Sequence, residues 1–150
     1  MLTGHLAQRM RYARLIVLLF ALLGLLLPAC VQAAAARRHG VVIQVSNDDP
    51  ESWDFTLTNI RYIQKQLGNH QMPIEVVAFG PGVYMLARDS EVRTDLHKAM
   101  EQGVRFVAGE TSMRARGLSP KNMYPGIRFV PLGIAEIIRR QRAGWSYLKP

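Results

Sequence analysis

Four short loops carry most of the side chains that could do chemistry in this chain, and each loop follows an apolar, strand-like segment. The first loop is the most polar and offers one free carboxylate, Asp48. A second carboxylate, Glu110, opens a later loop, and two such groups form an acid–base pair if they converge. The candidate ligand-binding residues share these loops: Ser46, Asn47, Asp48, Gly80, Gly82, Gly109, Glu110 and Thr111.

The same residues also have purely structural interpretations, and the sequence leaves both open. Asp49 followed by Pro50 is typical of a helix start, with the carboxylate as N-cap and proline at the first helical position. The stretch Gly80–Gly82 has neither the GxxxxGK[ST] nor the GxGxxG spacing of phosphate loops, so a tight turn explains it. Glu110 is equally consistent with a solvated loop glutamate.

Nucleophiles and metal ligands are sparse. Cys30 is the only cysteine, and it lies in the segment that we interpret below as an export signal. The four histidines have no i,i+4 pair among them, so we predict no metal site and no cofactor. Ser46 and Ser112 lack a nucleophile-elbow sequence. The chain therefore offers no catalytic residue on motif grounds.

The N-terminus has the three parts of a signal peptide. Arg9, Arg11 and Arg14 form a basic region, Leu15–Leu27 is an apolar run of 13 residues, and Val31–Ala33 supplies small residues for cleavage. The run is shorter than the roughly 20 residues that span a bilayer. We predict a signal peptide over residues 1–33, a short linker over 34–39 and one domain over 40–150. Cleavage after residue 33 removes the only thiol.

Two alternatives to release remain open. The stretch Leu27–Cys30 loosely resembles a lipobox, which would leave a lipidated Cys30, and an uncleaved apolar segment through Ala36 would act as an anchor. All three arrangements place the domain outside the cytoplasm. We therefore predict a periplasmic or otherwise exported domain, or one anchored to the membrane and facing the periplasm. Membrane association is expected only through that N-terminal segment.

The charge excludes one class of partner. The chain has 19 basic and 11 acidic side chains, a net charge of +8. Without Arg9, Arg11 and Arg14 the balance is 16 against 11, or +5. The remaining basic residues are scattered and form no stripe interleaved with aromatic side chains, so we predict no nucleic-acid binding. They are interpreted as solvated surface, with attraction to anionic lipid as the alternative.

The periodicity of apolar residues indicates alternating strands and helices. Strands are predicted at 41–45, 74–79, 104–108 and 127–130, with a final edge strand at 145–148. Helices are predicted from 50 to about 67, at 91–102 and at 134–142, with short helical turns at 83–87 and 113–116. The fold class is therefore α/β, a three-layer α/β/α arrangement around a mostly parallel sheet of about five strands. Ligands of such sheets bind beyond the carboxyl ends of the strands, where the four loops lie.

Four ordered motifs resemble one family. The stretch Val42–Pro50 with Trp53 looks like the first strand and turn of DsrE/DsrF-like proteins, and Val76–Gly82 resembles their second strand and VAYGPG-type turn. The third strand and the C-terminal part match as well, over Gly103–Ala108, Gly133–Glu136 and Gln141–Pro150. The resemblance covers nearly all of residues 40–150.

The resemblance implies a three-layer α/β/α fold that assembles into homo- or hetero-oligomers. The better-known members of the family are sulfur-relay proteins that carry persulfide on a cysteine just after the third strand. In this sequence that position is Gly109. Because persulfide chemistry needs a thiolate sulfur, the enzyme assignment is uncertain and leans towards no activity.

The expected function follows from this mismatch. We expect an exported, non-enzymatic DsrE-like domain that forms homo-oligomers and acts as a binding or accessory protein. One alternative is an accessory subunit of a sulfurtransferase or persulfide relay that works with a thiol-bearing protein partner. Another is a periplasmic scaffold held by a lipid or membrane anchor.

Overall fold

The computed structural model describes residues 39–67 and 72–150. The predicted signal peptide, Cys30 and all of the predicted linker except His39 lie outside the described residues. The described residues lie in one unit, Arg38–Pro150. Within them, no helix combines the length and the apolar content needed to cross a bilayer.

Strands and helices alternate along the domain, because β-branched runs are separated by amphipathic segments. The strands are β1 (Val41–Val45), β2 (Ile74–Ala78), β3 (Arg105–Gly109), β4 (Arg128–Val130) and β5 (Ser146–Leu148). The α-helices are α1 (Pro50–Leu67), α2 (Arg93–Glu101), α3 (Glu110–Arg114) and α4 (Gly133–Arg142), and two 3₁₀ helices cover Gly80–Leu86 and Pro120–Asn122.

The five strands form one sheet in the order β4-β3-β2-β1-β5, and every neighbouring pair is parallel. The register places Val42 of β1 beside Glu75 of β2, and Glu75 beside Arg105 of β3. Since side chains alternate between the faces of a strand, these three residues share one face of the sheet. The parallel arrangement predicted from the sequence is confirmed.

The main core fills the other face of the sheet. Ile43, Val76 and Phe106 point there and are almost completely buried. Leu57 of α1 and Leu96 of α2 belong to the same buried cluster. The buried apolar side chains of α1 lie on one face of the helix, as the amphipathic pattern in the sequence predicts.

A smaller core lies on the face that carries Val42, Val77 and Val107, and it is closed by Ile137 of α4. Helices therefore cover both faces of the sheet, and the predicted three-layer α/β/α class is confirmed. Among the described residues, α4 is the one helix that packs on this side, and large apolar side chains are exposed around it: Leu132, Ile134, Ile138 and Tyr147.

Several boundaries differ from the sequence prediction. Gly109 is the last residue of β3 rather than the first residue of a loop, because it pairs with Val130 of β4. The helical turn predicted at 113–116 starts too late, because α3 begins at Glu110, directly after β3. The predicted turn at 83–87 is a 3₁₀ helix that already begins at Gly80, where Pro81 fixes a helical φ.

Candidate functional site

The loops at the carboxyl ends of the strands meet at one edge of the sheet, as the parallel topology requires. The Phe79 amide donates to the Val45 carbonyl oxygen at 3.0 Å, joining the second loop to the first. The Gly80 amide donates to the Ser112 hydroxyl at 2.8 Å. The Thr111 hydroxyl donates to the Pro131 carbonyl oxygen at 2.8 Å. The two hydroxyls at the start of α3 therefore hold neighbouring loops in place.

Two of the candidate glycines close this edge by close packing. A Cβ atom on Gly82 would lie 2.4 Å from the Val45 carbonyl oxygen, which is nearer than real Cβ contacts come. A Cβ atom on Gly109 would lie 3.0 Å from the Gly133 backbone nitrogen and 3.6 Å from the Phe79 Cβ atom. Both positions bring backbones together rather than leaving space for a ligand. Gly80, the third candidate glycine, is instead favoured by its backbone conformation, because its φ is +55°.

The first loop uses its polar side chains mainly to start α1. The two Asp49 carboxylate oxygens accept from the Glu51 and Ser52 amides at 3.2 Å, which confirms the N-cap interpretation. The Asn47 side-chain amide donates to the Ser52 hydroxyl, and the Asn47 backbone carbonyl oxygen accepts from the Trp53 indole. A small cavity of about 100 Å³ remains beside Ser46 and Asn47, with Lys149 on its wall. Ligand binding by these residues stays a prediction.

The two carboxylates proposed as an acid–base pair have different surroundings. Glu110 lies 3.7 Å from the Arg114 guanidinium, one turn along α3. Asp48 is exposed in the first loop. Among residues 39–67 and 72–150, no three histidine, cysteine or acidic side chains come close enough to hold a metal ion.

A buried ionic cluster, which was not predicted from the sequence, lies at the opposite edge of the sheet, near the amino ends of the strands. Glu75 on β2 is completely buried. The Arg140 guanidinium on α4 contacts both of its carboxylate oxygens, with Nε at 2.6 Å from Oε1. The Arg105 Nε atom donates to the same carboxylate at 3.2 Å from the neighbouring strand. Glu136 completes the cluster and accepts from Arg140 at 2.9 Å and from Arg139 at 2.7 Å.

The two carboxyl groups of this cluster titrate in opposite directions. Burial raises the pKa of Glu75 above its ordinary value, although the Arg140 guanidinium opposes the change. Hydrogen bonding from Arg139 lowers the pKa of Glu136 to about 2. Hydrogen bonding between the two carboxyls raises the pKa of Glu75 and lowers that of Glu136. Glu75 is therefore the group that takes up a proton first.

Trp145 packs over two arginines of the cluster. Its ring centroid lies 4.5 Å from the Arg140 guanidinium carbon and 5.4 Å from that of Arg105, a cation–π arrangement. Gly40 permits this approach, since a Cβ atom there would lie 2.8 Å from the indole ring. The ring thus links the segment that precedes β5 to the arginines of β3 and α4.

Part of this cluster was accessible from the sequence. Glu136 precedes Arg139 and Arg140 by three and four residues, the spacing of ion pairs on a helix. Glu75 interrupts an otherwise apolar strand that is buried on both faces, where a carboxylate requires a partner. The sequence does not predict which residue is that partner, because Arg140 lies 65 residues away along the chain.

Together the described features define a class: a three-layer α/β/α protein with an all-parallel sheet, a carboxyl edge closed by glycines and an ionic cluster at the other edge. A profile of the DsrE/DsrF-like family matches residues 39–150. The chain belongs to the DsrE/DsrF-like family, and the resemblance stated from the sequence is confirmed.

Solved structures agree with this assignment. A protein of unknown function from Methanobacterium thermoautotrophicum, MTH1491, is similar with 36% identity and a TM-score of 0.71, and the match covers 75% of this chain and 99% of that one. The ychN protein from E. coli has 15% identity and a TM-score of 0.65, over 75% and 99% of the two chains. At that identity the likeness shows the fold alone. No curated protein matches the chain significantly.

Proposed function

We propose that this protein is an exported, non-enzymatic member of the DsrE/DsrF-like family that works as an oligomeric binding or accessory protein. The observation that carries the proposal is the closure of the edge around Gly109. The family resemblance expects a persulfide-carrying cysteine at that position, and here a glycine packs against Gly133 and Phe79. The described domain, residues 39–67 and 72–150, has no thiol at all.

The chemistry around Gly109 supports the same conclusion. Sulfur transfer needs a nucleophilic thiolate, and low-pKa thiolates arise beside cations or helix N-termini with room for an acceptor. Thr111 and Ser112 follow position 109, but their hydroxyls are engaged by Pro131 and Gly80. Methionine thioethers cannot form persulfides, so Met113 does not replace the missing group.

Association through the α4 side of the domain is the second part of the proposal. Ile134 and Ile138 are 49% and 46% exposed and lie one turn apart on α4, with Leu132 and Tyr147 exposed nearby. An apolar patch of this kind on a small domain is typical of an interaction surface. The oligomers implied by the family resemblance favour a second copy of this chain as the occupant.

The test of activity uses the full chain expressed with its N-terminal segment and purified as the cell processes it. We expect no thiosulfate:cyanide transfer and no persulfide labelling above a buffer control. Gly109→Cys is the matched variant, since it restores a thiol at the family position. Turnover by the unaltered protein above background contradicts the proposal, whatever the variant does.

The test of association measures molar mass by size-exclusion chromatography with light scattering. We expect an oligomer, and we expect Ile134→Asp with Ile138→Asp to shift it towards monomer without loss of secondary structure. Phe55→Asp is the control, because Phe55 is also exposed but lies on α1, on the other face of the sheet. A monomer at high concentration in the unaltered protein removes this part of the proposal.

A second candidate is an accessory subunit of a persulfide relay with a thiol-bearing partner. The retained fold around a missing carrier residue favours it, since such a chain could complete a mixed oligomer without carrying sulfur itself. Affinity purification of the full chain from its own cells, followed by thiol labelling of the co-purified proteins, tests it. A homo-oligomer without a labelled partner counts against it.

Export rests on the N-terminal pattern of basic, apolar and small residues. N-terminal sequencing of the mature protein separates the possibilities. A start at Ala34 means release, a blocked Cys30 means lipidation, and a retained N-terminus means an anchored scaffold.

A further inference from the structure

A cavity of about 390 Å³ lies between the segment that follows β2 and the loop that precedes β4. Its apolar part is formed by Tyr84, Ala87 and Leu118. Tyr84 lies in the second half of the first 3₁₀ helix and is half-buried. The volume falls within the range of small-molecule sites, roughly 300–1,000 Å³.

Two cations from different segments line this cavity. Arg88 belongs to the segment after β2, and Lys121 belongs to the second 3₁₀ helix. Within the part of the chain that the structure describes, no carboxylate lies within 4 Å of either cationic group. By contrast, the arginines of the ionic cluster are all paired. Uncompensated charges at the mouth of a cavity attract an anion.

The walls of the cavity are held in place by backbone hydrogen bonds. The Arg88 amide donates to the Asn122 carbonyl oxygen at 2.8 Å, beside the antiparallel bridge between Ala87 and Met123. The Ser119 hydroxyl and amide both contact the Asn122 side-chain oxygen, at 2.7 and 2.9 Å. The site is therefore formed before a ligand arrives, which lowers the entropic cost of binding.

We propose that this cavity, the Arg88–Lys121 cleft, binds a small organic anion that has an apolar or aromatic body. The anionic head lies between Arg88 and Lys121, and the body packs against Tyr84 and Leu118. Asp89 also lines the cleft and disfavours a second negative charge, so a monoanion is preferred over a polyanion. None of the residues at the carboxyl edge lines this cleft, and the inference does not depend on the proposed function.

The probe for this proposal is 1-anilinonaphthalene-8-sulfonate, a fluorescent aromatic monoanion. Its neutral analogue N-phenyl-1-naphthylamine has the same apolar body without the sulfonate. We expect the folded protein to bind the sulfonate, to bind it more weakly as salt rises, and to bind the neutral analogue poorly.

Arg88→Gln and Lys121→Gln locate the site. Each removes one of two charge-assisted contacts at a solvent-accessible rim, and should weaken binding about fivefold to tenfold. Arg142→Gln is the matched control, since it removes an exposed cation at the end of α4. Ile138→Gln is a second control, because it alters the exposed apolar patch to which the probe could also bind.

Circular dichroism checks that all four variants keep the fold. Amide chemical shifts on addition of the sulfonate should change near Arg88, Leu118 and Asn122. Equal binding by every variant overturns the proposal, as does loss of binding in Ile138→Gln alone. Tight binding of the neutral analogue, or no binding at millimolar concentration, overturns it as well.

Discussion

The two edges of the sheet use opposite means to hold their elements together. At the carboxyl edge, loops meet through glycines and through hydroxyl groups that bond to backbone atoms, as at Gly82 and Ser112. At the amino edge, helix and strands meet through buried charges centred on Glu75. Helix α4 connects them, because it starts beside Gly109 and ends with Arg140 on Glu75.

In this molecule, the groups with shifted pKa values and the candidate ligand-binding residues lie at different edges of the sheet. Shifted pKa values cluster at active sites in general, yet here the shifted groups lie at the edge where ligands of parallel sheets do not bind. Glu75 and Glu136 are paired with three arginines, and the Trp145 ring packs on the Arg140 guanidinium. Their arrangement explains how a single helix is fixed over one face of the sheet.

The largest expected effect comes from breaking the ionic cluster. Glu75→Ala leaves Arg140 half-buried without its main partner and should lower the free energy of unfolding by about 3–5 kcal/mol. Urea denaturation followed by circular dichroism measures it. Glu75→Met combined with Arg140→Met removes both charges and should recover most of the loss. A double variant no more stable than Glu75→Ala contradicts the role of the ion pair.

The next largest effect comes from the closed edge. Gly82→Ala forces its Cβ atom against the Val45 carbonyl oxygen and should cost about 2–3 kcal/mol, as overpacking does. Gly117→Asn is the control, because nothing lies within 4 Å of that position and asparagine tolerates its φ of +67°. Thermal unfolding compares the two. Similar melting temperatures mean that the edge is not tightly packed.

The two carboxyl groups of the cluster should differ in how their contributions to stability depend on pH. The folded pKa of Glu136, about 2, lies below the ordinary value of 4.5, so its contribution to stability is present above pH 4.5 and is lost as the pH falls towards 2. Glu136→Gln should cost about 2 kcal/mol at pH 7, and this difference should vanish near pH 2. Denaturant titrations of both proteins between pH 2 and 7 measure it.

The contribution of Glu75 to stability has the opposite pH dependence. Its pKa is raised by burial, so the stability associated with its proton is present at low pH and is lost as the pH rises through the folded pKa. The difference between wild type and Glu136→Gln reports mainly on Glu136, and it includes the change in the pKa of Glu75 that follows from losing the hydrogen bond between the two carboxyls. A difference that stays constant over the whole pH range contradicts the assignment of the low pKa to Glu136.

The smallest effect is expected at the exposed ion pair of the carboxyl edge. Arg114→Ala removes a contact of 3.7 Å to Glu110 between two exposed side chains, and should change the free energy of unfolding by less than about 0.5 kcal/mol. Arg140→Ala, measured alongside by urea denaturation, should cost several times more. Equal losses remove the contrast between the two edges.

Much of the fold was predictable from local signals. The β-branched run Val41–Val45 predicts a buried strand, and Asp49 with Pro50 predicts the start of α1, which the structure confirms. The short elements after β2 and β3 were less predictable, because their bounds depend on contacts with other loops. The Gly80–Ser112 hydrogen bond joins residues 32 positions apart, so no local sequence pattern predicts it.

The sequence by itself determined the order of strands and helices and the absence of a thiol at position 109. Residue type and short-range periodicity are local properties, and they suffice for those conclusions. Only the tertiary structure decided that Glu75 pairs with Arg105 and Arg140, because strand register and the placement of α4 bring them together. It also decided that Gly82 and Gly109 fill their edge, since the space around a glycine depends on backbones distant in the chain.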